Sequence, residues 1–282
     1  SIYALVSAGL TLTFGTLDFI NFAHGEMAMA GAYSFFWLHV LMGLPILISV
    51  ALTIIIMGTI GLIVEKTTFR PVRSKQAFIP LVLSIGVSII FQSLAIIFFG
   101  GGSQTYYQAS VVSKSFDILG MATITQAQLM IIVSAIVLLG ATWLFLKYSR
   151  TGRAIRAVSD NKEVAAIMGI DVNKTIAILF AIATVLAGIG GILIAYDQNL
   201  FPMMGMLLSI KAFAVVIIGG VGYFQGVIWG ALLIGLLENM IVGLTPISAS
   251  YKELIVFTVF IIVLIYKPYG LFGGNKEEAE SR

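Results

Sequence analysis

Charge-free apolar runs recur along the chain, separated by short polar or basic stretches. Pro45–Val64, Phe78–Phe99, Ala127–Leu146 and Thr175–Tyr196 contain no Asp, Glu, Lys or Arg. Each is close to the ~20 residues that a helix needs to cross the hydrocarbon core of a bilayer. One charged side chain at mid-membrane costs roughly 2.5–3.5 kcal/mol on insertion scales, so four clean runs form a strong pattern. Ser1–Leu17, Met27–Met42, Val227–Val242 and Tyr251–Tyr266 are further candidates, and Leu207–Ile218 is too short to span alone. None of the runs alternates with the period of two expected of a strand. The pattern predicts an all-α integral membrane protein, a polytopic helical bundle of about eight transmembrane helices plus one short or broken helix.

Composition sharpens this. Of the 282 residues, 59% are hydrophobic and 10% charged, against roughly 25% charged in a soluble domain. A soluble enzyme, a disordered chain and a nucleic-acid binder are excluded. There is no cysteine and there are two histidines, so neither a disulfide framework nor a thiolate or His-rich metal site is expected. The net charge of +3 matters less than its placement. Lys66, Arg70, Arg73 and Lys75 share one loop. Lys147, Arg150, Arg153, Arg156, Lys162 and Lys174 share a second, and Lys267, Lys276 and Arg282 lie in the tail. The segments Gly100–Gln126, Gln198–Gly205 and Gly243–Ser250 hold only Lys114. The positive-inside rule places the basic group in the cytoplasm. Residues 1–282 then form one transmembrane domain of a multi-pass cell-membrane protein, with a cytoplasmic loop at 147–174 and a cytoplasmic tail at 267–282. This parity requires Leu207–Ile218 and Val227–Val242 to dip inward and return. Ser1 lies inside an apolar run with no basic stretch or cleavage site before it, which reads as a first helix that has lost its start rather than a signal peptide.

Two segments interrupt the apolar pattern. Phe14–Glu26 carries Asp18, Asn21, His24 and Glu26; Gly219–Gly226 carries four glycines and no charge. Non-helical backbone at membrane depth survives only where protein or a water-filled path surrounds it, and paired interruptions in the two halves point to a transport path. Asn21, His24, Glu26, Gln92, Gly219, Gly220, Gly222 and Gly226 are the candidate path residues. A capped cytoplasmic turn at the first segment and a plain packing turn at the second are the alternatives. Lys211, Glu238 and Asn239 either pair, snorkel or line the path. Ala183, Ala187 and Gly191, and Gly226 with Gly230, form small-residue ridges for close helix packing.

The loop at 147–174 carries its own start and stop signals. Asp160 is the expected N-cap, with Glu163 three residues on as in a capping box, and Gly169 suits a left-handed stop. The short helix between them presents Val164, Ala165, Ile167 and Met168. Small residues favour a knob that docks in a partner's groove over a helix lying on lipid. No Lys-Ser/Thr pair (Lys66-Thr67, Lys114-Ser115, Lys174-Thr175) follows a glycine, so a P-loop is absent. A membrane path with a docking knob and no nucleotide site implies a motor on another chain. Asp18, Glu26 and Asp197 keep open an ion-driven carrier.

In these stretches the chain resembles the permeases of branched-chain amino acid ABC importers of the Liv type, nearest the H-type subunit, within the wider family of urea/amide and ribose-type ABC permeases. The resemblance runs from Ser1-Ile2-Tyr3-Ala4-Leu5 through Asn21-Phe22-Ala23-His24-Gly25-Glu26, through Thr151-Gly152-Arg153 to Gly169, through Lys211-Ala212-Phe213 to Gly226 and Gly230, and to Lys267-Pro268-Tyr269-Gly270-Leu271-Phe272-Gly273. Glu163, Ala165 and Gly169 hold the positions of the Glu-Ala-Ala-x-x-x-Gly coupling motif, with Val164 in place of its second residue. The resemblance implies a transport subunit that is not an enzyme and moves branched-chain amino acids by ATP-driven alternating access. Asp160, Glu163, Val164, Ala165, Ile167, Met168 and Gly169 would dock the ATPase. It implies no cofactor in this chain, ATP and Mg being bound by partners. Those partners are a second, related permease subunit in a heterodimer, two ATP-binding cassette ATPases and an extracytoplasmic substrate-binding protein, within a lipid bilayer and without nucleic acid. A permease for urea or short amides, and a self-contained secondary transporter or channel, are the alternatives.

Overall fold

The computed structural model describes residues 2–17, 19–73, 75–76, 78–106, 115–118, 122–197, 199–244, 252–267 and 270–272. The four charge-free runs become α3 (Ile46–Val64), α4 (Phe78–Phe99), α5 (Gln126–Tyr148) and α8 (Val172–Asp197). α1 (Ile2–Leu17) and α2 (Ala23–Phe36) precede them, and α2 continues to Leu41 as a widened turn. α6 (Arg150–Asp160) and α7 (Lys162–Ile167) fill the long basic loop. α9 (Met204–Gly219), α10 (Phe224–Leu244) and α11 (Lys252–Tyr266) complete the bundle. A small antiparallel hairpin, β1 (Ser115–Ile118) and β2 (Ala122–Thr125), is added between α4 and α5.

The helical fold class holds, but fewer helices reach full spanning length than expected. Among the described residues four are long and apolar enough: Ile46–Val72, Phe78–Phe99, Gln128–Tyr148 and Val172–Tyr196. The α9–α10 pair, bent by 116°, makes a fifth if taken as one broken span. The difference arises in α1, α2 and α11. The 16 residues of α1 extend about 24 Å, short of the ~30 Å hydrocarbon core. α1 and α2 are instead buried on nearly every side, joined by the non-helical Phe19–Phe22.

α8 is the central post. It packs against α1, α2 and α3, and α2 also packs against α4 and α9. Ile176, Leu179, Phe180, Ala183 and Ala187 of α8 are fully buried. Close approach rests on residues without side-chain bulk. Gly31 of α2 lies against Gly188, Gly191 against the Ala28 carbonyl, and Gly9 of α1 against the Ala183 carbonyl. In lipid, helices gain little from hydrophobicity alone, so this contact between backbones supplies the association. The small-residue ridge read in the sequence has this packing role.

The two ends of the bundle differ as the charge pattern requires. At one end Arg73 ion-pairs with Glu65 and donates to Asn173 Oδ1 at 3.2 Å, which joins the first two basic loops. At the other, Gln104 and Leu200 exchange backbone hydrogen bonds of 2.7 and 2.8 Å between two segments poor in Lys and Arg. The expected tail at 267–282 lies outside the described residues from Gly273 onward, as do Asp18 and the side chain of Asp197.

Candidate functional site

The break after α1 is shorter than the polar stretch suggested. α1 extends to Leu17 and α2 begins at Ala23. The chain turns back so that the start of α2 lies beside α1: the His24 ring reaches Val6, about three turns before the end of α1. Non-helical backbone here must find partners inside the protein, and two serines provide them. Ser84 Oγ of α4 accepts from the Phe22 N–H at 3.1 Å. Ser209 Oγ of α9 donates to the Phe22 carbonyl at 2.6 Å and accepts from the Gly25 N–H at 2.9 Å. Asn21 makes a local turn just before the N-cap position, Phe22: its Oδ1 accepts from the Ala23 N–H at 3.1 Å and its carbonyl from the His24 N–H. Serines 62 and 184–187 residues away hold the break, and sequence spacing gives no sign of that.

The candidate path residues separate into groups. His24 Nε2 donates to the Val6 carbonyl at 3.0 Å, which fixes its tautomer, and Nδ1 has no partner. Gln92 Nε2 of α4 donates to Glu26 Oε1 at 2.6 Å. Glu26 is 0% exposed, and its Oε2 lies unpartnered against Gly205 of α9. Two residues apart on a helix, His24 and Glu26 point to opposite sides, so α1–α2 and α2–α4–α9 contacts are distinct. Lys211 of α9 donates to Glu238 Oε1 of α10 at 3.0 Å and to the Tyr3 hydroxyl at 3.2 Å. Pairing, one of the alternatives for those charges, is what the structure has. Asn239 Nδ2 bonds to the Gly235 carbonyl on an exposed face.

The glycine cluster makes the 116° bend between α9 and α10. Gly220 (φ +97°) and Gly222 (φ +77°) adopt left-handed backbone, which glycine enters without a Cβ clash. A Cβ on Gly219 would stand 2.6 Å from the Gly226 carbonyl oxygen, so the two helices cross backbone to backbone at this pair. Gly222 reaches Gly15 of α1. Sequence reasoning missed the clamp beneath: Gly270 (φ +87°) presses on Gly220, and Leu271 N–H donates to the Ile218 carbonyl at 2.8 Å.

The long basic loop holds two helices where one short helix was expected. Ser149 ends α5 and caps α6, its Oγ accepting from Gly152 N–H at 2.7 Å. Gly152, Ile155 and Val158 of α6 face inward every three residues, a periodicity visible in the sequence. The cap of α7 is Asn161, not Asp160. Asn161 is extended (φ −157°) and its Oδ1 accepts from the Glu163 and Val164 N–H groups, both at 3.0 Å. Asp160 ends the preceding helix, so its backbone is already helical and unsuited to the cap position. Gly169, at φ +84°, has the left-handed stop conformation.

Ala165 is turned into the bundle and is 3% exposed, which removes it from any docking face. Val164, Ile167 and Met168 are 54%, 84% and 77% exposed and form the apolar tip of α7, with Glu163 beside them. The tip is mechanically joined to the membrane helices through α6, whose Ser159 hydroxyl lies 2.6 Å from that of Thr16 on α1. Between these elements a cleft of about 460 Å³ is lined by Thr11, Gly15, Trp143, Lys147, Arg156 and Gly222 among others. Among the described residues, no group of three or more His, Cys, Asp or Glu side chains is arranged to hold a metal ion.

Comparison with known proteins gives one consistent picture. The model of the family described as branched-chain amino acid transport system / permease component matches residues 1–264. The high-affinity branched-chain amino acid transport system permease protein BraD of Pseudomonas aeruginosa is 32% identical, over 99% of this chain and 94% of its own. LivH of Escherichia coli, of the same description, is 32% identical over 99% of this chain and 93% of its own. The D-allose transport system permease protein AlsC of Escherichia coli is 30% identical over 66% of this chain and 57% of its own. No solved structure matches.

Proposed function

Since the chain belongs to the branched-chain amino acid transport permease family, a family of transport components rather than enzymes, we propose that it is the permease subunit of an ABC importer carrying branched-chain amino acids into the cell. The names of its relatives support that cargo, and the full-length match with them supports a shared architecture. Two ATP-binding cassette ATPases in the cytoplasm would drive it. A second, related permease subunit would complete the pathway, and a soluble binding protein outside would deliver the amino acid. The α6–α7 end and the C-terminal tail then face the cytoplasm.

The observation that carries the reading is the tip of α7. A six-residue helix exposing Val164, Ile167 and Met168 is unstable alone, since isolated helices shorter than ~12 residues are marginal. Here Asn161 and Gly169 close both ends, and Ala165 anchors it from below. Such a fixed apolar knob suits a groove on a partner. Closure of the ATPases would press α7. The push would pass through α6 and the Thr16–Ser159 contact into α1, and rock this subunit against its neighbour. The buried seam around Phe19–Glu26 would be the moving part of the path.

The test is reconstitution of this chain with the second permease and both ATPases in proteoliposomes. Leucine uptake should require ATP and the binding protein. Uptake by this chain alone, driven by an ion gradient without an ATPase, would overturn the reading in favour of a secondary carrier.

A further inference from the structure

The cleft beside α6 is unclaimed by the docking tip and by the buried path seam. Its floor is Thr11, Leu12 and Gly15 of α1; its walls are Trp143, Leu146 and Lys147 of α5, and Tyr223, Phe224 and Gln225 at the start of α10; α6 closes it with Ile155, Arg156, Ser159 and Asp160. α5 and α10, which line it, also carry exposed apolar side chains, Leu144 and Trp229 among them. The lining thus combines the cations Lys147 and Arg156 with the apolar Trp143, Leu146 and Phe224.

The polar end is cationic. Lys147 and Arg156 oppose the single carboxylate of Asp160 on the lining, and Arg150 and Arg153 of α6 stand exposed nearby. Lys147 Nζ lies 4.7 Å from the centre of the Trp143 ring and 5.4 Å from that of Tyr148, so its ammonium is held by two ring faces and not by a carboxylate. Arg156 bridges α5 and α6 by donating to the Leu146 and Lys147 carbonyls. Neither cation forms an ion pair with a carboxylate among the described residues. Basic pockets between helices on the cytoplasmic side suit acidic lipid headgroups, and an interfacial tryptophan beside a lysine is the usual anchor at that depth.

We propose that this cleft binds one anionic phospholipid of the cytoplasmic leaflet, its phosphate at Lys147 and Arg156 and an acyl chain along Trp143 and Phe224. The lipid would fill the wedge between α5, α6 and the Gly220–Tyr223 turn, the same junction through which α6 reaches α1. The site rests on the cytoplasmic placement of α6 argued above, but its test needs neither ATP nor the partner subunits, so its failure and that of the transport reading are separable.

The experiment is native mass spectrometry of the purified full chain. It is titrated separately with dioleoylphosphatidylglycerol and dioleoylphosphatidylcholine, and with inorganic phosphate as competitor. One phosphatidylglycerol should be retained with at least about fivefold preference over phosphatidylcholine, the size expected of one basic residue near a membrane surface. Lys147→Gln should cut the preference by about that factor and Lys147→Arg should keep it. Equal retention of both lipids, or a preference unchanged by Lys147→Gln, would overturn the proposal. Millimolar phosphate displacing the lipid completely would overturn it too, by showing that the site recognises a free anion.

Discussion

Replacing Ser209 by Ala tests how the broken segment between α1 and α2 is held. One hydroxyl serves two backbone groups, donating to the Phe22 carbonyl and accepting from the Gly25 N–H. The bond to Gly25 is buried and that to Phe22 partly buried. Each buried group left without a partner costs about 1–3 kcal/mol, so the substitution should cost roughly 2–6 kcal/mol. Thr59→Ala is the matched control. The Thr59 hydroxyl bonds back to the Ile55 carbonyl on an exposed helix face, and its loss should stay within about 0.5 kcal/mol. Ser84→Ala should fall between them, since Ser84 accepts from one N–H of the break. Because both serines hold Phe22, the double variant should cost less than the sum. The assay is denaturant unfolding in micelles, with hydrogen exchange read at residues 22–26. If Ser209→Ala unfolds like Thr59→Ala and Gly25 exchange is unchanged, the break is held by something other than the serines.

Other substitutions probe the remaining contacts. Lys211→Ala should destabilise by roughly 3–5 kcal/mol by stranding Glu238, while Lys211→Met with Glu238→Leu recovers most of the loss, as buried pairs behave; thermal melts of the three proteins decide it. Gly191→Leu should prevent a stable fold, because a side chain there strikes the Ala28 backbone. Gly140→Ala, with open space around it, should be neutral or up to about 1 kcal/mol stabilising. Asn161→Ala should cost about 0.5–2 kcal/mol of local stability at α7, seen as faster amide exchange at Glu163 and Val164 while the spanning helices stay protected.

The four long spans were legible to within a few residues. A helix in lipid must be long, apolar and free of charge, and those constraints leave few alternatives. α1 and α2 were harder to place, because their burial comes from α8 and α9 rather than from lipid, and length no longer follows bilayer thickness. The break at Phe19–Phe22 was visible in its polarity, but the serines that satisfy it are not, since no local pattern marks a hydroxyl that serves a distant backbone. Asp160 and Asn161 are both good caps, and choosing between them required knowing that α6 runs to Asp160. Its three-residue periodicity at Gly152, Ile155 and Val158 was there to be read. Ala165 sits at a motif position, yet its inward direction depends on how α6 and α8 hold α7. The glycines at 219 and 226 signalled the close approach of α9 and α10.

The most direct test of a passive gate gripped through the α7 tip uses the chain's lack of cysteine. Ile167→Cys, Met168→Cys and Ala165→Cys each introduce one thiol, and a short bifunctional reagent is applied to membranes holding the assembled complex. Ile167 and Met168 should be trapped with an ATP-binding cassette subunit and Ala165 should not. A complex that imports amino acids with ATP while neither exposed position is trapped, or while Ala165 alone is, would contradict the account.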